Sequence, residues 1–60
     1  MIFLVSFSSG SFWCSNVAIA SSEEEVINHY GKKYPSVYIS KGSEADIREA
    51  EAKGKPIVRL

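Results

Sequence analysis

The run Ile2-Phe3-Leu4-Val5-Ser6-Phe7, the cluster Ser8-Ser9-Gly10-Ser11 and the run Phe12-Trp13-Cys14-Ser15-Asn16-Val17-Ala18-Ile19-Ala20 decide the fold. Both runs are rich in β-branched and aromatic side chains, and a Ser/Gly cluster between two such runs signals a hairpin. With Ser9-Gly10 as the turn, Phe7 lies opposite Phe12, Val5 opposite Cys14 and Phe3 opposite Asn16, all on one face. The other face collects Ile2, Leu4, Trp13, Val17 and Ile19. An antiparallel hairpin open to water keeps one face polar, so two apolar faces call for cover on both sides, from helices or from a second copy of the chain.

Ser22 followed by Glu25 has capping-box spacing, and Glu23, Glu24 and Glu25 place negative charge at the positive end of a helix dipole. Val26, Ile27 and Tyr30 give this helix an apolar stripe, and Gly31 is expected to end it as the C′ residue, with Lys32 and Lys33 close to its negative end. Pro35 forces Tyr34 out of helical geometry, and Val37-Tyr38-Ile39 reads as a third strand. Ser43 with Asp46 repeats the capping pattern, Ala45 to Ala52 is built from strong helix formers, and Gly54 closes the second helix. Ile57-Val58-Arg59-Leu60 completes the order β-β-α-β-α-β.

This order predicts a single α+β domain over residues 1–60, with one small sheet, an N-terminal hairpin and two short helices. The first strand is the least polar and is expected to be central, and the crossover through the first helix is expected to be right-handed. The second helix offers only Ala45, Ile47, Ala50 and Ala52 to a sheet, so its docking is expected to be weak.

The chain has 60 residues, 45% of them hydrophobic, with seven basic and seven acidic side chains. Neutrality removes the electrostatic basis for wrapping nucleic acid or lying on an anionic membrane. One Cys forms no intramolecular disulfide, and one Cys with one His cannot complete a four-ligand Cys/His zinc site, so no metal or cofactor is expected. Residues 1–22 carry no ionisable side chain except Cys14, and Ala18-Ile19-Ala20 has the form of a signal-peptidase site. Against a signal, no Lys or Arg lies near Met1 and Ser6, Ser8, Ser9, Gly10 and Ser11 break the apolar run. No apolar stretch reaches the roughly 18 to 20 residues that cross a bilayer. The expectation is a soluble, intracellular protein.

Ser9, His29 and Asp46 are the residue types of a hydrolase triad, but no G-x-S-x-G elbow accompanies them, and no enzyme is expected. His29 is expected to lie on the surface near a helix end, and Cys14 to be a packed thiol. Consecutive helical positions diverge, so Glu23–Glu25 do not suit a metal. Two readings remain. In the first, Trp13 with Ile2, Leu4, Val17 and Ile19 makes an apolar contact with a larger protein or another copy, and Glu23, Glu24 and Glu25 form its acidic rim. In the alternative, the turn at Ser9 and Gly10 holds an anion, or Lys32, Lys33 and Lys41 with Tyr30, Tyr34 and Tyr38 grip a single strand of nucleic acid.

Leu4–Gly10, Ala20–Val26 and Asp46–Ile57 together resemble small accessory proteins of Gram-positive phages and integrative mobile elements. The shared motifs are structural: a hairpin turn, a capped helix and a Gly-x-Pro strand start. The resemblance implies a cytoplasmic accessory protein of a mobile element, a class that includes anti-CRISPR and other anti-defence inhibitors, and it brings no catalytic residues. The function expected on this basis is a non-catalytic, homo-oligomeric interaction module that inhibits a larger host protein such as a nuclease or CRISPR effector.

Overall fold

In the computed structural model, which describes residues 1–60, the two apolar runs pair as β1 (Ile2–Ser9) and β2 (Phe12–Ile19). The turn is Gly10-Ser11 rather than Ser9-Gly10, so Phe12 lies opposite Ser9, Cys14 opposite Phe7, Asn16 opposite Val5 and Ala18 opposite Phe3. Gly10 has φ +67° and no other residue of the turn has a positive φ. That is the geometry of a hairpin turn with glycine first; with Gly10 second, a turn matched to strand twist would also force a positive φ on Ser9. The register therefore differs from expectation by two residues, which leaves every side chain on its expected face because the strand period is two.

Helix α1 (Glu23–Gly31) starts at Ser22, whose Oγ accepts from the Glu25 N–H at 3.3 Å. The Glu25 carboxylate accepts from the N–H and Oγ of Ser21 at 3.1 and 3.3 Å, so it reaches back one residue beyond the expected box. Gly31 does not act as a left-handed C′ residue: the helix continues through it, and the N–H groups of Lys33 and Tyr34 both donate to the Tyr30 carbonyl. With that carbonyl satisfied by right-handed residues, no left-handed turn is needed.

Strand β3 (Val37–Lys41) runs antiparallel to β1, helix α2 (Glu44–Ala52) follows, and β4 (Ile57–Arg59) pairs parallel with β2. The sheet order β3-β1-β2-β4 makes β1 an inner strand, as expected. The β2-α1-β3 and β3-α2-β4 crossovers traverse the sheet in opposite directions, so a common hand requires their helices to lie on opposite faces. They do. α1 covers Phe3, Val5 and Phe7, while α2 sits over Leu4 and Val17.

α2 is fastened at both ends by local chemistry. The Ser43 N–H and Oγ donate to Asp46 Oδ2 at 2.8 and 3.2 Å. At its other end Lys55 N–H donates to the Ala50 carbonyl and Gly54 N–H to the Glu51 carbonyl, around Gly54 at φ +68°, which is a Schellman motif. Phe3, Val5, Phe7, Ala18, Ala20, Val26 and Tyr30 form the core, with Tyr34, Val37, Ile39 and Val58 packed against it. The Phe7 ring lies 4.3 Å from that of Tyr34 and 5.3 Å from that of Tyr30, centroid to centroid. Only nine residues are buried, which makes this a small core even for a chain of this length. No helix is long and apolar enough to cross a membrane.

Candidate functional site

The sheet face under α2 is only half covered, and the uncovered half carries an aromatic ridge. Trp13 lies opposite Ser8 on β2, and Tyr38 lies opposite Ser6 on β3. Because β1 contributes only serines between them, the two rings meet across it, with centroids 5.5 Å apart and planes tilted by 36°. Trp13 is 58% and Tyr38 67% exposed. Between this ridge and α2 runs a trough of about 340 Å³, with Ser6, Ser15 and Ser40 beside Leu4 and Val17 on its floor and Glu49 and Lys53 on its helical wall.

The wall is electrostatically balanced. Lys53 Nζ donates to Glu49 Oε1 at 2.6 Å, one helical turn away, and this bond with the ammonium charge holds the Glu49 carboxyl below the ordinary glutamate range. Asp46, also at the trough, is occupied by Ser43. Beside these internally paired groups, the trough presents the serine hydroxyls and Lys55. A floor of hydroxyls with an apolar ridge suits a ligand of mixed polarity held by contact and hydrogen bonds.

The expected contact residues separate. Val17 is buried, Ile2, Leu4 and Ile19 are half-buried, and Trp13 is exposed. Glu23, Glu24 and Glu25 are not brought to this face: they start α1 on the opposite side of the sheet, and Glu25 is engaged in the helix cap. The expected acidic rim around Trp13 is thus not assembled, because the chain passes from β2 onto the other face before its first charged residue.

The alternative site is dispersed as well. Ser9 and Gly10 sit at the exposed hairpin tip, where the turn is closed by ladder pairing. Lys32 and Lys33 follow α1, whereas Lys41 lies opposite Phe3 at the far end of β3. Val37 and Lys41, the ends of β3, are themselves about 13 Å apart at strand rise. Tyr30 is buried, its Oη accepting from Asn16 Nδ2 at 3.3 Å, and Tyr34 packs on Phe7, so the three tyrosines share no stacking surface. His29, edge-on to Tyr30 on α1, and Asp46 on α2 lie across the sheet from each other and form no triad with Ser9. No group of three or more His, Cys, Asp and Glu converges as for a metal.

Cys14 is exposed rather than packed, since α1 seals Phe7 beside it but does not extend over β2's outer edge. Tyr38, expected beside the lysines and the other two tyrosines, is instead paired with Trp13. The signal for its facing was available: Val37 and Ile39 flank it on a strand, so alternation turns Tyr38 to the side away from their core. No known protein family, curated protein or solved structure matches this chain.

Proposed function

We propose that this protein is a non-catalytic interaction module that binds a larger partner protein through the Trp13–Tyr38 ridge and the trough behind it. One observation carries the reading: two aromatic side chains stand outside the core, packed on each other and on a rigid sheet, with 58% and 67% of their surface in water. Trp and Tyr on rigid supports are the side chains that dominate protein interfaces, since they bring large contact area with little conformational entropy to lose. The partner is expected to supply a segment that lies on the ridge and hydrogen-bonds the serines of the floor. The sharper version, an inhibitor of a host nuclease or CRISPR effector, rests on the resemblance of the hairpin, capped helix and last strand to mobile-element accessory proteins.

The test is capture from a bacterial lysate on the immobilised protein, with Trp13→Ala and Tyr38→Ala run beside it. The expected result is one retained protein, lost by at least tenfold with either variant, while both variants keep the native circular dichroism. Equal retention by the double variant overturns the reading. Salt-sensitive oligonucleotide binding that disappears with Lys32→Ala and Lys33→Ala would replace it with the nucleic-acid alternative.

A further inference from the structure

The outer edge of β2 is covered over only part of its length. β4 pairs with Val17, Ala18 and Ile19 and with nothing earlier. Leu60 N–H donates to the Ile19 carbonyl, and on the opposite side Ala20 N–H donates to the Met1 carbonyl. Together these bonds fix the alternation: the odd-numbered residues of β2 turn their N–H and C=O away from β1. The parallel pattern that gives Leu60 to Ile19 gives Val58 to Val17, and its next bond would run from residue 56 to the Ser15 carbonyl. Residue 56 is proline and has no N–H to donate. The chain departs there, with Lys55 N–H turned to Ala50 on α2. Trp13 and Ser15 are left with outward backbone groups that β4 does not reach.

The strip that carries them, Phe12 to Asn16, holds no charged side chain and no proline, the devices that ordinarily keep an edge strand from pairing. It exposes Phe12 by 75% and Trp13 by 58%. We infer that this strip pairs antiparallel with the same strip of a second copy, about a twofold axis at Cys14.

The register follows from the backbone. With Cys14 opposite Cys14, Trp13 of each copy lies opposite Ser15 of the other, and the outward N–H and C=O groups of all four residues are joined in hydrogen-bonded pairs. The five-residue strip is used once and in full, and the hairpin turn of each copy crosses back toward its own β1, away from the neighbour's β4. An uncharged strip on a neutral chain brings no repulsion to the axis. Pairing of the strips shelters the flanks of Phe12 and Trp13 in both copies, a fraction of the roughly 600 Å² that the four rings expose, and leaves the faces of the Trp13 rings open. Both Trp13 rings then lie on one side of a continuous sheet, so the ridge is doubled. The inference rests on backbone groups and is independent of the partner-protein reading.

Cys14 reports on the register. It occupies a non-hydrogen-bonded site between the copies, where facing Cα atoms are about 4.5 Å apart, inside the disulfide range. Sedimentation equilibrium in reducing buffer is expected to give a dimer of the 6.6 kDa chain. Diamide, which takes two electrons and two protons from a pair of thiols, is expected to convert it to a disulfide-linked dimer at micromolar protein. Ser15→Cys in a Cys14→Ser background is expected to cross-link at least tenfold more slowly. Cys14→Lys, which sets two ammonium groups face to face, is expected to give a folded monomer. Ser15→Pro, which removes an outward N–H and no bond to β1, is expected to raise the dimer dissociation constant at least tenfold. A monomer at all concentrations, a dimer indifferent to Cys14→Lys, or faster cross-linking through residue 15 overturns the inference. Cys14→Lys leaves Trp13 and Tyr38 in place, so loss of the dimer and loss of partner binding are read separately.

Discussion

The two faces of the sheet start from similar apolar material and end differently. Phe3, Val5 and Phe7 on one face are buried, whereas on the other only Val17 is buried, Ile2, Leu4 and Ile19 are half-buried and Trp13 stands in water. The strands do not account for this contrast; the helices do. α1 and the turn after it bring Val26, Tyr30 and Tyr34 to their face, while α2 buries only Ala50 against the other. Side-chain size on the covering helix decides which face becomes core, and the poorer helix leaves an accessible surface at the end where the strand carries serines.

This contrast is sharpest in the rings. Phe7→Ala is expected to cost about 3–5 kcal/mol, because it empties a site closed by Tyr30 and Tyr34. In a domain with nine buried residues that is expected to abolish cooperative urea unfolding, read by circular dichroism. Trp13→Ala removes a larger ring but one that is 58% exposed, and is expected to cost clearly less than Phe7→Ala: its pairing with Tyr38, roughly 0.5–1.5 kcal/mol, and its partial burial. Equal losses from the two substitutions would break the distinction between the faces.

The element order, both helix starts and the facial assignment of every hairpin residue were legible in the sequence, because alternation and caps are local. The register was not, since it depended on which turn position Gly10 occupies, and that is set by strand twist. The candidate site was legible in Trp13, whereas Tyr38 was grouped with Tyr30 and Tyr34, because which ring it meets across β1 depends on strand order. The acidic rim was misplaced because the face on which a helix docks is set by crossover direction, a property of the whole sheet.

Two glycines separate the helices further. Gly54 ends α2 with φ +68°, so Gly54→Ala is expected to cost about 1–2 kcal/mol and to loosen the weaker face first. Faster amide exchange in α2 than in α1 would show it. Gly31 sits in ordinary helical geometry, and a Cβ there would meet only Ile27 Cγ2 at 4.0 Å. Gly31→Ala is therefore expected to stabilise by about 0.5–1 kcal/mol, raising the urea midpoint. A loss at Gly31 as large as that at Gly54 would mean that α1 ends like α2.

The smallest expected effect tests the wall of the trough. The Lys53 hydrogen bond, then its charge, lower the Glu49 pKa in the folded chain, opposed by desolvation and by Asp46 and helped last by Lys55. A carboxyl with a depressed folded pKa contributes stability that is present above the unfolded value and lost as pH falls through the folded one. The pair is exposed, so solvent and salt screen it and the contribution to unfolding is small. Its signature belongs in a titration. The carboxyl carbon resonance of Glu49 is expected to titrate below the ordinary glutamate range, and Lys53→Met or high salt is expected to move its midpoint up. A midpoint unchanged by Lys53→Met would mean that the ammonium does not hold Glu49 in solution. The helical wall would then offer a partner a free carboxylate instead of a closed pair.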